Sequence, residues 1–376
     1  MLAIKHNALN IQRITRVRKR AYHDIVTLPS KKIVTASGPP GYSAVSGNTV
    51  TVFGCTGFLG RYLVAKLGKV GTRIITPYRD EDEVRHLKLM GDLGQMVRME
   101  WDLRDEKSIA ECLRHSDTVI NLVGRDYPTK NFDYRDVNTL GAERIAKIAA
   151  ENGVSRFIQL SHLNASETSP SKFYQSKAEG EKRVQEAFPD ATIIRPSSMF
   201  GYEDKFLNNM AIWPIWWKLN NSQTTVRPVH VMDIAQAIVN IMKTPQTPSV
   251  VNLPGPSTLS YEYLLDLVSS VTLQPPSSAP TLPKAVAEAL ASLGNTVWWP
   301  VLSPDEVARR YINDSEVPGD WDLVGITPAE IEDHAITYIR RYRSAANFVR
   351  PVVFPPRPQA AVVSHVNPSS SWRSEG

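Results

Sequence analysis

Read as apolar and polar positions, the chain settles into a regular rhythm near residue 49. Short β-prone runs fall at 50–53, 72–78, 95–101, 117–123, 155–161 and 191–195. Helix-compatible stretches lie between them, through Lys69 and around 82–90, 105–114, 134–152 and 174–188. Strands alternating with helices at this spacing predict an α/β fold: a doubly wound parallel sheet with helices on both faces. From about 200 the rhythm changes. Pro-rich connections at 245–256 and 274–283 separate helix-like stretches at 232–243, 260–272, 284–293, 303–312 and 328–342. The expected organisation is a sheet domain over 49–200 and a smaller mixed C-terminal lobe over 201–343 whose segments partly return to the sheet. No internal repeat is visible.

The first strand runs into Gly54-Cys55-Thr56-Gly57-Phe58-Leu59-Gly60, a G-x-x-G-x-x-G turn that opens a helix. Glycines there let backbone approach a pyrophosphate, and the helix start offers unpaired N–H groups and the positive end of its dipole. Glycine trios also serve plain tight turns. The place of this one, after the first strand of an alternating series, predicts a dinucleotide site in a Rossmann-type sheet, with residues 54 and 56–61 as its cradle. The second strand ends Ile74-Ile75-Thr76-Pro77-Tyr78-Arg79, where an acid would accept from a ribose 2′-hydroxyl. A basic residue there, with Arg61 directly after the glycine turn, suits a 2′-phosphate through charge-assisted hydrogen bonds, which favours NADP(H). The competing account pairs Arg79 with Asp80 or Glu83. Asp102, followed by Leu103, ends the third strand and can accept from an adenine amino group. Asn121-Leu122-Val123-Gly124 ends the fourth, where small residues let backbone run beside the ribose and nicotinamide.

These residues, with Arg195-Pro196 after the sixth strand, resemble the extended or atypical short-chain dehydrogenases/reductases. That family uses a Tyr-x-x-x-Lys pair in which the lysine lowers the pKa of the tyrosine hydroxyl. Lys177 matches the lysine, but Phe173 stands four residues earlier and has no hydroxyl. Tyr174 is one position off, about 100° around a helix, and should point away from the nicotinamide. Ser161, at the end of the fifth strand, remains. The position set Ser161, Phe173 and Lys177 is thus degenerate, and no catalytic residue is expected. Losing a positioned general acid costs about 10²–10⁴ in rate. Longer strings give a narrower resemblance: Pro77-Tyr78-Arg79, Met90 to Gln95, Asn121 to Asp126, Thr129 to Asp133, Ser161 to Ala165 and Phe200 to Asn208. They look like the NADPH-binding 39/40 kDa accessory subunits of mitochondrial respiratory complex I, over about 48–343. That resemblance implies a tightly bound structural NADPH, no turnover of its own, other subunits of the matrix arm as partners, and a peripheral place on the matrix side of the inner membrane. The alternative is an active NADPH-dependent reductase or epimerase with a relocated acid such as Tyr174.

Charge agrees with this picture once it is divided along the chain. The total is 43 Lys+Arg against 38 Asp+Glu, a net +5. Residues 1–22 contribute six basic residues and no acid, and 340–376 contribute six arginines and one acid, so the segment 23–339 is net −6. An acidic body argues against a nucleic-acid-binding surface or an RNA-binding member of the same superfamily. The Arg-rich start, with Ile11, Ile14 and Val17 on an imperfect apolar stripe, fits a mitochondrial transit peptide; a solvated basic arm is the other account. Residues 23–48 read as an extended leader, and 344–376 as a Pro/Ser-rich tail that builds no core of its own and is either disordered or draped over a partner. The two cysteines, Cys55 and Cys112, and the scattered histidines offer no metal-ligand spacing. His162 and His230 are expected to be satisfied core or turn residues, and Asp233 to cap the following helix. Five of the eight tryptophans cluster, Trp213, Trp216 and Trp217 in one stretch and Trp298 and Trp299 in another. A pocket lid, a protein interface, an edge in lipid headgroups and plain lobe packing are all open for them.

Overall fold

Every residue of strand β1 (Thr49–Phe53) is buried, because the strand lies inside a seven-stranded sheet covered on both faces. The computed structural model describes residues 46–212, 217–244, 247–275, 279–297 and 303–357. It also describes the backbone of two short strands, Ile25–Thr27 and Ile33–Thr35, which pair antiparallel. The other strands of the sheet are β2 (Arg73–Tyr78), β3 (Met96–Glu100), β4 (Thr118–Asn121), β5 (Arg156–Leu160), β6 (Thr192–Pro196) and β7 (Val250–Leu253). Their spatial order is β7-β6-β5-β4-β1-β2-β3, with every pairing parallel. The order reverses between β1 and β4, where Val50 faces Ile74 on one side and Thr118 on the other. A crevice outside the carboxyl ends of the strands forms at such a reversal.

Two apolar layers flank the sheet. Helix α1 (Phe58–Lys69) packs against α5 (Val231–Lys243), with Leu63, Leu67, Ile234 and Ile238 buried between them and the sheet. On the other face α2 (Glu106–Leu113), α3 (Gly141–Glu151) and α4 (Lys172–Ala187) bury Ile109, Ile145 and Val184 against Phe53 and Phe157. The sequence pattern marks 82–90 as one helix. It is instead a single turn capped by Asp80, followed by a 3₁₀ turn over Arg85–Met90 whose Leu89 is exposed.

The C-terminal segments are entwined with the sheet. Strand β7 lies within 245–256, which the pattern reads as a connection, and it pairs with β6 from Ile193 to Pro196. A separate apolar cluster holds the lobe together: Phe200, Leu207, Leu264, Leu267 and Ile339, with α6 (Tyr261–Thr272) and α9 (Ile331–Ile339) packed on one another. Between those two helices come α7 (Lys284–Val297) and α8 (Pro304–Arg309). Residues 344–357, in the predicted tail, lie on this lobe. Arg343 donates to the carbonyls of Val271, Phe348 and Arg350, and Arg357 pairs with Glu330 and Glu332. No helix among the described residues is long and apolar enough to cross a membrane.

A buried ion pair ties α4 to the sheet. Arg195 Nε donates to Glu181 Oε1 at 2.9 Å, its Nη2 bonds the second oxygen, and Glu181 is 6% exposed. Removing one member of a buried pair leaves the other charge uncompensated. Because Arg195 is 30% exposed and regains part of its hydration, Glu181→Ala should cost about 1–3 kcal/mol in chemical denaturation. A loss below about 1 kcal/mol would mean that Arg195 finds water instead.

Candidate functional site

The glycine turn is shaped by contacts that only glycine allows. Gly54 has φ +79°, and a Cβ on Gly60 would lie 2.3 Å from the Gly54 carbonyl oxygen. The turn therefore packs directly on the first turn of α1. That helix begins at Gly57 with no side-chain cap and no acid in its first turn, so its leading N–H groups face the crevice with their dipole uncompensated. Other helices of the chain are capped: Asp105 accepts from Lys107 and Ser108 at the start of α2, and Ser171 caps α4. Leu59 is buried in the core, so it can offer an anion only its backbone N–H, while Thr56 and Phe58 are partly exposed at the rim.

The strand ends complete the crevice. Arg79 is exposed at the end of β2 and forms no hydrogen bond or ion pair among the described residues. Asp80 caps the following turn instead, which leaves the pairing of Arg79 with Asp80 or Glu83 without support. Asp102 is exposed after β3, and one of its oxygens accepts from the Arg104 N–H at 2.7 Å. The side chain of Leu103 faces inward against Gly141, while its carbonyl takes Arg144 Nη1 at 2.7 Å. Asn121 is fully buried. Its amide donates to Gln159 at 2.8 Å and accepts from the Val123 N–H at 3.1 Å, which fixes the turn that presents Val123 and Gly124.

The other wall is α4. Lys177 is 7% exposed, and the hydrogen bond to the Leu160 carbonyl, at 3.4 Å, is the one its ammonium makes among the described residues. It approaches Gly124 so closely that a Cβ there would sit 2.7 Å from Nζ. Burial pushes the lysine down to about 8, against the opposing pull of Glu181 and Asp126. The Ser161 hydroxyl, one residue past Leu160, is buried without a hydrogen-bond partner. Phe173, four residues before Lys177, has its ring centroid 5.9 Å from Lys177 Nζ and 4.9 Å from the Arg309 guanidinium. Tyr174 packs beside Phe173, their ring centroids 5.6 Å apart. Its ring lies 4.8 Å from that of His162, its phenol faces Asn164 and Asp314, and burial pushes its pKa up. His162 accepts from the Asn164 N–H through Nδ1 and is held neutral, pushed down to about 3 by burial and by Arg309 and Lys177.

Sequence reasoning missed Asp305 and Arg309. Asp305 accepts from Ser171 Oγ and the Lys172 N–H, fastening α8 to the start of α4. Arg309 donates to the Asp126 carbonyl at 2.9 Å. Nothing in their local sequence marks them. Two other expectations fall outside the crevice. His230 bonds Tyr338 at 2.8 Å and stacks on His334. Asp233 accepts from the Ala329 N–H rather than capping α5, whose N-terminal position is His230. No cluster of three metal-ligating side chains occurs among the described residues.

Known proteins fit this geometry. The profile of the NAD dependent epimerase/dehydratase family matches residues 50–253. The mitochondrial NADH-ubiquinone oxidoreductase 40 kDa subunit of Neurospora crassa is 40% identical over 93% of this chain and 92% of its own. The mitochondrial NADH dehydrogenase [ubiquinone] 1 alpha subcomplex subunit 9 of Rattus norvegicus is 42% identical over 83% and 85%. The chain belongs to the epimerase/dehydratase family and, within it, to that of these mitochondrial subunits. The fold is shared with MoeE5, solved in complex with UDP-glucose and NAD, at a TM-score of 0.59 and 17% identity, covering 79% of this chain and 98% of that one. Three features of the crevice suit the NAD(P) that such folds hold: the bare N-terminus of α1, the orphaned Ser161 hydroxyl and the under-bonded Lys177.

Lys177 gives the crevice a measurable signature. The unfolded lysine stays protonated up to its ordinary 10.5, whereas the folded one releases its proton near 8. The unfolded state therefore binds more protons between those values, and nucleotide-free stability rises with pH across that window. Lys177→Met should stabilise the nucleotide-free protein by about 1–3 kcal/mol at pH 7. The advantage should shrink as pH climbs from 8 to 10.5, and nucleotide affinity should fall. Thermal melts of both proteins across that range, with and without NADPH, check the sign.

Proposed function

We propose that the protein is a non-catalytic, NADPH-binding accessory subunit of mitochondrial complex I, held peripherally on the matrix side of the inner membrane. The nucleotide would serve as a structural cofactor. The observation that carries the non-catalytic part is Phe173. Bound NADPH would supply a hydride, and the protein must then offer a proton donor beside it. The position that should offer one is an unfunctionalised ring with two cations within 6 Å of its centroid. Arg309, paired with Asp305 at 3.3 Å, lies over the same ring. Tyr174, the alternative acid, keeps its phenol at Asn164 and Asp314, 6% exposed, which disfavours an active reductase or epimerase.

In this reading Lys177 and Ser161 hold the nicotinamide-side ribose, the first turn of α1 holds the pyrophosphate, Asp102 meets the adenine, and Arg61 and Arg79 meet the 2′-phosphate. Membership of the family of mitochondrial NADH dehydrogenase subunits supports a place in that complex. The basic 1–22 segment would serve as the import signal. Trp217, 40% exposed, would contribute to a contact with lipid or a neighbouring subunit. Trp213, Trp216, Trp298 and Trp299, proposed for the same contact, lie outside the described residues.

Native gel electrophoresis of detergent-solubilised mitochondria should show the protein migrating with the complex and releasing NADPH on denaturation. A free monomer that oxidises NADPH with a carbonyl substrate at enzyme-like rates would overturn the reading, and Tyr174→Phe should then abolish the rate. Arg79→Glu should lose NADPH while the melting transition stays cooperative; an unchanged nucleotide content would remove Arg79 from the site.

A further inference from the structure

The two arginines assigned to the 2′-phosphate are treated differently by the fold. Arg79 stands free, whereas Arg61 is already engaged. Its Nη1 meets Glu203 Oε1 at 3.3 Å, its Nη2 donates to the Thr56 carbonyl at 3.2 Å, and its Nε is buried without an acceptor. The second oxygen of Glu203 accepts from the Tyr62 hydroxyl. Glu203 comes from the loop after the Met199–Phe200 strand, 142 positions along the chain. It thus sets a carboxylate beside a helix turn whose own sequence carries no acid.

We propose that Glu203 is an internal competitor for Arg61. Its carboxylate and the 2′-phosphate of the nucleotide contend for one guanidinium, so Glu203 sets how strongly the site prefers a phosphorylated adenosine ribose over an unphosphorylated one. The proposal rests on the reading of NADPH as the cofactor. The pair is 32% and 38% exposed, within reach of solvent, and an ion pair so placed contributes little. A phosphate dianion brings more charge and more acceptors to the same planar fork and can displace it. The loop does not depend on Glu203 for its shape. Asp204 accepts from the N–H groups of Gly201, Leu207 and Asn208, and the Tyr202 carbonyl accepts from Asn208 and Arg341. The carboxylate can leave Arg61 while Tyr62 retains it. An unphosphorylated ribose makes no claim on Arg61 and leaves the pair intact.

Isothermal titration of the purified full chain, stripped of nucleotide, with NADPH and with NADH separates the possibilities. Glu203→Gln keeps the volume and a partner for Tyr62 while removing the charge. It should tighten NADPH about 2–5-fold, the range of an exposed ion pair, and leave NADH unchanged. The gain should diminish at high salt and vanish in an Arg61→Met background, as a double-mutant cycle requires of a direct pair. Equal shifts for both nucleotides, weaker NADPH binding, or a gain that survives Arg61→Met would each overturn the proposal. A wild-type chain that binds neither nucleotide would overturn the proposed function and this inference together. One that binds NADPH with no selective response to Glu203→Gln would sink the inference alone.

Discussion

A lysine sealed at the carboxyl end of an interior strand, with a single long hydrogen bond among the described residues, is the constraint around which this crevice is built. Desolvating an ammonium is costly unless acceptors replace water, and here the protein supplies the Leu160 carbonyl, the face of Phe173 and little else. Its neighbours are shaped to admit it. Position 124 has no side chain where the ammonium lies. Asn138, which a Cβ at that position would also crowd, is tied instead to Ser176 and the Arg125 backbone. The Ser161 hydroxyl beside it is unbonded as well. A core that leaves a cation and a hydroxyl short of partners, with a bare helix N-terminus in the same crevice, is complementary to something polar that the chain does not itself supply.

The C-terminal segments do more than cover the sheet. Strand β7 extends it, α5 closes one face, and α8 reaches back to the start of α4 through Asp305. That last contact brings Arg309 onto the ring of Phe173, so one aromatic face meets a cation from each part of the molecule. A tyrosine hydroxyl at this position would enter a region already carrying two positive charges. The phenylalanine supplies packing and cation–π contact there, and it carries no proton-bearing atom.

The sheet was legible because each central strand is largely buried on both faces and is rich in β-branched residues. Residues 49–53, 118–121 and 192–196 are of this kind. Strand β7 was not. Four residues flanked by Pro248, Pro254 and Pro256 carry too weak a pattern to be told from a connection, and pairing with β6 decides the outcome. The stretch 82–90 failed for the opposite reason: its spacing suits a helix, but Leu89 has nothing to bury against, and the chain tightens into a 3₁₀ turn. At the crevice, the glycine turn, Ser161, Phe173 and Lys177 were readable because motif spacing is local. Asp305, Arg309 and Glu203 act across 134, 183 and 142 positions of chain, and no local pattern encodes such contacts.

A ligand that binds only the folded form adds stability as RT ln(1 + [L]/Kd), about 2.7 kcal/mol at a hundredfold excess over Kd. For most binding proteins this is a bonus on a core that is satisfied without it. Here the charged wall of the crevice is destabilising alone, since Lys177 is held well below its ordinary pKa by burial. A nucleotide ribose that accepts from Lys177 removes part of that penalty, and an anion at the start of α1 neutralises an otherwise bare dipole. Folding and loading are therefore linked by the same groups. In the proposed role Lys177 and the glycine turn serve binding alone, so their place in the fold does not depend on a reaction that follows.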